Sequence, residues 1–232
     1  MENSAADVSI ILPVLNEVGN INNVIDHLRA LDHDFHTEII VVDGDPQGST
    51  IRAIKDREVR TLIAKKGRAR QMNHGASAAR GDILLFLHAD TRLPENALAS
   101  LVSIMRDRRY VAGAFDLGFD TTRMIFRITE MYVFLRTRLT KVPFGDQAIF
   151  MRKEYFAGIN GYRDIPIMED VELMKRVKKR GDRIVIISKK VMTSPRRYEQ
   201  EGILYCTLRN WMVQLLYAFG ASPERLVKWY RS

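Results

Sequence analysis

Four short apolar runs, at residues 8–12, 38–42, 59–64 and 83–87, punctuate the first ninety positions, and between them apolar residues recur at a different spacing. The first run is rich in β-branched residues and meets Pro13, which lacks the backbone donor a strand uses, so it predicts a buried strand ending there. Ile21, Val24, Ile25, Leu28 and Leu31 then follow the three-and-four spacing of a single helix face. A weaker helix over 49–56 separates the second run from the third, and a helix over 68–79 separates the third from the fourth. Apolar strands alternating with helices predict a parallel sheet covered on both faces, because each crossover carries the chain back across the sheet.

The pattern loosens after residue 92. It predicts a strand over 111–119, a helix over 124–139, a strand over 147–151, a helix over 171–180, a strand over 184–187 and a helical tail from about residue 202. No fixed-period repeat, low-complexity tract or linker rich in glycine, serine or proline interrupts the 232 residues. One Rossmann-like α/β domain with a helical C-terminal tail is therefore expected.

Apolar residues at 46% and charged residues at 28% supply enough hydrophobic side chain for a large core and exclude wholesale disorder. The lone Cys206 has no partner for an internal disulfide, and the first residues lack the basic-then-apolar order of a secretory leader, so a cytoplasmic setting is expected. Arg127, Glu130, Arg136 and Arg138 interrupt the most apolar stretch, which leaves no segment expected to span a bilayer. A net charge of +8 favours anionic partners: nucleic acid, lipid headgroups or a phosphate-bearing substrate.

Ligands of parallel sheets gather beyond the carboxyl ends of the strands, where helix N-termini offer free N–H groups. Those ends carry Asn16 and Glu17, Asp43, residues 65–70, and His88 to Asp90. Asp90 can hold a hard divalent cation together with substrate phosphates, or it can cap the helix expected near Pro94. His88 suits a softer metal, a hydrogen bond to phosphate, or a purely structural place at a strand end. Lys65, Lys66, Arg68 and Arg70 around Gly67 read as an anion cradle or as a solvated basic turn. Glu169 and Asp170 precede the helical apolar positions Val171, Met174 and Val177. One of the two carboxylates can cap the helix while the other takes a proton in the crevice, or both can simply complement the helix dipole. Gly145, Asp146 and Gln147 can bond a sugar or acceptor, or form a tight turn.

Taken together, Ser9-Ile10-Ile11-Leu12-Pro13-Val14-Leu15-Asn16-Glu17, Val42-Asp43-Gly44, the segment 67–73, His88-Ala89-Asp90 and Glu169-Asp170 resemble the family 2 inverting glycosyltransferases in order and spacing, over about residues 8–180. The Phe86-Leu87-His88-Ala89-Asp90-Thr91 variant looks most like a small soluble bacterial subgroup. The resemblance implies a GT-A fold with a mixed sheet flanked by helices, a UDP- or GDP-linked sugar donor and a divalent Mn2+ or Mg2+ ion. It implies a donor-binding half over 1–92, an acceptor and catalytic half over 93–198, and a tail over 199–232. Pro13, Asn16, Glu17 and Asp43 would surround the nucleoside, with Gly67, Arg68, Arg70, Asn73 and His88 beside it. Asp90 would bind the metal, Asp170 paired with Glu169 would supply the catalytic base, and Arg196 or Arg197 would close over the diphosphate. Asp146 and Gln147 are expected on the acceptor side.

Two departures qualify this expectation. His88 stands where many members carry the first acid of an Asp-x-Asp motif, and the Gln-x-x-Arg-Trp motif of processive synthases has only a partial echo in Thr207 to Trp211. Single-sugar transfer is expected, against two rivals: a sugar-nucleotide-binding module without activity, and a basic nucleic-acid-binding protein that has no recognisable motif to support it. The helix over 124–139 and the tail mix apolar residues with arginine and lysine. Ordinary packing, a homodimer contact and a membrane surface reached by a lipid-linked acceptor stay open for both.

Overall fold

The four predicted runs form β1 (Val8–Val14), β2 (Thr37–Asp43), β3 (Arg60–Ile63) and β4 (Ile83–Phe86), all parallel, in the order β3-β2-β1-β4. The computed structural model describes residues 7–31 and 35–231, the side chains of Arg197 and Arg231 excepted. Four more strands, β5 (Thr91–Arg92), β6 (Tyr110–Phe119), β7 (Phe150–Arg152) and β8 (Arg183–Thr193), extend the sheet beyond β4 in the order β7-β6-β8-β5. β7 runs antiparallel to β4 and β6, β8 parallel to β6, and β5 antiparallel to β8, so the sheet is mixed as expected. The helices are α1 (Ile21–Arg29), α2 (Ser49–Arg52), α3 (Arg68–Ala78), α4 (Ala97–Met105), α5 (Met124–Thr140), α6 (Lys153–Gly158), α7 (Glu169–Lys179), α8 (Arg196–Glu201), α9 (Ile203–Ala218) and α10 (Pro223–Arg231).

Successive strand residues point to opposite faces, and both faces here are apolar. Val8, Ile10, Leu12 and Val14 of β1 pack with Ile83 and Leu85 of β4 beneath α1 and α4. Ile11, Leu84 and Phe86 join the opposite core under α3, α6, α7, α9 and α10. Each fully buried Ile, Leu or Val contributes roughly 1.5–3 kcal/mol of transfer free energy, which outweighs the absence of alternation as a strand signal. α3 packs closely because of Gly75: a Cβ there would fall 2.6 Å from Cγ2 of Ile11. No helix among the described residues is long and apolar enough to cross a membrane.

The structure departs from the expected elements where backbone bonding overrides local pattern. β1 continues through Pro13 to Val14. Ile11 accepts from Leu87 on the β4 side, so Pro13, two residues on, turns its missing donor to the same side, past the last β1–β4 pair of Ile11 with Phe86. The strand expected over 147–151 begins only at Phe150, because Gly145–Gln147 form a 3-10 turn. α2 is a single turn, and α7 starts two residues early. β8 runs six residues past its expected end: a register shift pairs Asp116 with Lys190, absorbing the polar Ser188 and Lys189. That extension carries Thr193 to the edge strand β5, where it pairs with Thr91.

Candidate active site

At the carboxyl end of β1 the chain turns through Asn16, left-handed at φ 60° and exposed, into half-buried Glu17, whose amide donates to Thr50 Oγ1 at 3.2 Å. Pro13 lies partly buried at the same end. Asp43, at the end of β2, is fully buried, and its carboxylate accepts the amides of Asp45 and Thr50 at 2.9 Å each. Those bonds tie down the loop after β2 and supply orphan N–H groups of α2 with a partner. Gln71, buried on α3, donates from Nε2 to the carbonyls of both Val14 and Val42 at 2.8 Å. It locks α3 to the two strand ends.

The basic segment before α3 divides by role. Lys65 and Lys66 are exposed. Gly67 caps α3 at φ 140°, a conformation side chains disfavour. Arg68 turns to the crevice with Nε 2.8 Å from Glu169 Oε1, whereas Arg70 reaches outward to Asp164 at 2.8 Å. Asn73 clamps the backbone of Tyr162 in both directions, donating at 2.8 Å and accepting at 2.9 Å. The structure thus brings Arg68 into the crevice and gives Arg70 and Asn73 other partners.

Asp90 is exposed beyond β4, and α4 takes Asn96 as its N-cap, which removes the capping alternative for Asp90. Its side chain accepts from Thr91 Oγ1 at 3.2 Å, and its carbonyl accepts the amide of Ser194 at 3.0 Å. Oδ2 of Asp170 accepts the amide of Gly145, and Oδ1 accepts the amide of Val171 at 2.7 Å. A Cβ on Gly145 would fall 3.1 Å from both Asp170 Oδ2 and His88 Nε2, so these two side chains flank one glycine. Met168, left-handed at φ 67°, starts α7 with buried Glu169 turned to Arg68 and Asp170 turned to the crevice.

A cavity of about 230 Å³ opens here, with Arg68, His88, Asp90, Asp146 and Asp170 at its polar end. Tyr132 and Arg136 of α5 line one side, and Asn210, Trp211 and Gln214 of α9 another. The tail therefore forms part of the site wall. Arg136 stacks 3.5 Å from the Phe144 ring centroid and donates to Gln214 at 3.2 Å and to Gln147 at 3.1 Å. Gln147 is fully buried and outside the cavity lining; its carbonyl oxygen accepts from Arg136, Thr137 and Phe144, and its amide donates to Phe115 at 3.0 Å. Its expected place against an acceptor is filled by protein. Asp146 does line the cavity, with Oδ1 buried and bonded to nothing among the described residues.

The acids here repel one another. Burial pushes Asp146 up to about 6, against the pull of Arg136 and with Asp170 and Asp90 adding to the rise. Burial and then Asp90 hold Glu17 above its usual range, against the pull of Arg196. Burial and the Arg68 guanidinium hold His88 below the usual imidazole range, so it is a neutral ring. Arg196 stands exposed at the start of α8, near enough to act on Glu17; the side chain of Arg197 lies outside the described residues.

Among the described residues, no three His, Cys, Asp or Glu side chains converge on a metal position. The acids fit a hard cation of the kind that takes one or two carboxylates and completes its shell with phosphate oxygens. Asp90, with one hydroxyl partner and an excess of negative charge around it, is the available ligand. Sequence reading passed over Arg136, Tyr198 and Thr193 as site residues. The one local signal was that Arg136 is one of the charged residues interrupting the most apolar stretch.

Residues 9–160 match the model of the family described as glycosyl transferase family 2. A probable glycosyltransferase of Sulfolobus acidocaldarius is 26% identical over 204 residues, covering 76% of this chain and 43% of that protein. An uncharacterized glycosyltransferase of Mycobacterium tuberculosis is 28% identical over 181 residues, covering 75% of this chain and 69% of its own. Among solved structures, the mannosyltransferase PcManGT of Pyrobaculum calidifontis, in complex with GDP-Man and Mn2+, superposes with a TM-score of 0.65 at 18% identity, covering 82% of this chain and 57% of that one. TarS 1-349 of S. aureus, in complex with UDP, superposes at 0.63 with 13% identity, covering 84% and 62%. The chain thus spans less than half of the archaeal relative and about three fifths of the two structures. The fold these structures share is GT-A, as the sequence motifs imply.

Proposed function

The chain belongs to glycosyl transferase family 2, and from that premise we propose that it moves one sugar from a UDP- or GDP-linked donor to an acceptor hydroxyl, with inversion at the anomeric carbon. The observation that carries this reading is the Asp170 carboxylate, oriented by two backbone N–H groups in the cavity that Asp90 also lines. The GDP-Man and UDP held by the two structural neighbours support a nucleotide-sugar donor.

In the reaction, Asp170 takes the acceptor's hydroxyl proton while the oxygen attacks the anomeric carbon. The bond from that carbon to the diphosphate breaks on the opposite face, and the nucleoside diphosphate leaves with the electron pair. Arg68 and Arg196 supply positive charge where the leaving group develops its negative charge. Neutral His88 offers a hydrogen bond without adding charge. A divalent cation held by Asp90 and the donor's phosphates, as Mn2+ accompanies GDP-Man in the archaeal neighbour, would add further charge stabilisation there.

Asn16, Glu17, Pro13 and Asp43 bound the nucleoside side, with Asp43 ordering its loop rather than offering a free carboxylate. Gly67 leads Arg68 to the diphosphate, while Arg70, Asn73 and Glu169 act by fixing the segments around it. The acceptor enters the cavity between α5 and α9 and meets Asp146. The Tyr132 and Trp211 rings, which meet between the two helices, offer apolar contact to a lipid-linked acceptor.

Calorimetric titration with UDP and GDP, each with manganese and with chelator, tests this reading on wild type and Asp90→Ala. Metal-dependent binding that the variant loses is expected. No binding to either nucleotide would overturn it, and a donor that binds but is neither transferred nor hydrolysed would reduce the chain to a binding module.

A further inference from the structure

α5 and α9 carry apolar residues on a side that no other part of the described chain covers. On α5, Met124, Ile128, Met131, Leu135 and Leu139 recur at steps of about four and three residues, and all are exposed. On α9, Leu204, Leu208, Trp211, Leu215 and Phe219, at its end, repeat the same steps and are likewise exposed. Leu139 is 81% exposed and Phe219 82%. The two helices flank the candidate active-site cavity, bridged where the Tyr132 and Trp211 rings meet with centroids 5.1 Å apart.

Charge on these two helices is predominantly positive. Across residues 124–141 and 203–218 the single carboxylate is Glu130, which is buried and bonded by Arg127 and Lys190. Of the cations in the same segments, Arg136 lines the cavity and Arg127, Arg138 and Arg209 pair with Glu130, Asp116 and Glu201, while Lys141 at the end of α5 and Arg123 just before it are exposed. A water-facing surface gains nothing from ten large apolar side chains in two matched stripes. An interfacial helix pair does, since it buries such stripes among acyl chains while its cations meet anionic headgroups and its aromatic rings sit at the boundary.

We propose that the α5–α9 face docks on a bilayer bearing anionic headgroups, resting on the glycosyltransferase reading above in that the cavity between these helices admits the acceptor. A second copy fits less well. A two-fold contact through this face would set the cations at the ends of α5 among their own like charges and would cover Tyr132 and Trp211, two exposed residues of the cavity lining.

The test is sedimentation of the full chain with vesicles of phosphatidylcholine alone and of phosphatidylcholine with phosphatidylglycerol. It compares wild type with a Leu139→Asp, Leu208→Asp, Phe219→Asp variant, whose changed residues are exposed and outside the cavity lining. Wild type is expected to sediment with the anionic vesicles, and the variant to lose about tenfold or more of that binding while keeping its circular dichroism and nucleotide titration. Wild type remaining in the supernatant, or a variant that sediments equally well, overturns the proposal. So does a wild-type dimer in light scattering that the variant dissociates, which would assign the face to a second copy. Nucleotide binding without vesicle binding refutes membrane docking alone; vesicle binding without nucleotide binding supports the docking and refutes the glycosyltransferase reading instead.

Discussion

Oδ2 of Asp170 accepts the backbone N–H of Gly145, and the missing side chain of Gly145 is what lets His88 approach the same point. Gly145→Ala would push a methyl to 3.1 Å from both Asp170 Oδ2 and His88 Nε2. Misplacing a base by a few tenths of an ångström affects the transition state more than donor binding. Transfer kinetics should show kcat lower by about 10–100-fold with the nucleotide affinity unchanged. An unaltered kcat would remove Asp170 from the reaction.

Arg68 partners a carboxylate that is otherwise buried. Glu169 is 2% exposed, its pKa is raised by burial, and Arg68 opposes the rise. Arg68→Met would raise the folded-state pKa of Glu169 further. A carboxyl raised above its unfolded value stabilises the fold below the unfolded pKa and loses that contribution as pH rises through the folded one. The variant should therefore lose about 2 kcal/mol at neutral pH, a figure discounted for the half-exposed arginine, and less at pH 5. Urea unfolding at the two pH values measures this, and equal losses would contradict it.

Asp146 makes the same sign visible without a partner. Its carboxyl is pushed up to about 6 from 3.8, chiefly by burial. The stabilisation this gives is complete below about pH 4 and is lost as pH rises through about 6. Asp146→Asn lacks that loss, so its stability relative to wild type should improve by up to about 3 kcal/mol between those limits. Parallel stability profiles for the two proteins would show that Asp146 titrates normally.

Gln71 is expected to matter for folding rather than for chemistry. Gln71→Ala would leave the carbonyls of Val14 and Val42 without their side-chain donor, costing about 2–4 kcal/mol in chemical denaturation. Gly44 would gain space beside it, since Gln71 Oε1 lies 3.0 Å from where a Cβ there would stand. A variant as stable as wild type would mean that water replaces the amide.

The parallel half of the fold was legible because its signals are local. The strands around Ile10, Ile40 and Leu85 are short apolar runs, and their parallel direction follows from alternation with helices. Beyond residue 92 the antiparallel insertion of β7 beside β4 depends on pairing between residues 83–85 and 150–152, which no local pattern announces. Asp90 and Asp170 were legible as motif residues, but not what each side chain touches. Asn73 and Gln147 read as ligand contacts, and the fold spends both on backbone and side chains of its own. Arg136 read as a break in an apolar helix and proves to be a cavity wall.

By itself the sequence determined the family, the first four strands and the positions at their carboxyl ends, because strand propensity, helix periodicity and motif spacing act over a few residues at a time. Tertiary structure alone decided that Glu169 turns to Arg68 while its neighbour Asp170 turns to Gly145, and that the apolar stripes of α5 and α9 end up on either side of one cavity. Those outcomes depend on contacts between residues tens of positions apart, whose partners are chosen only when the whole sheet has closed and the buried polar groups have found one another.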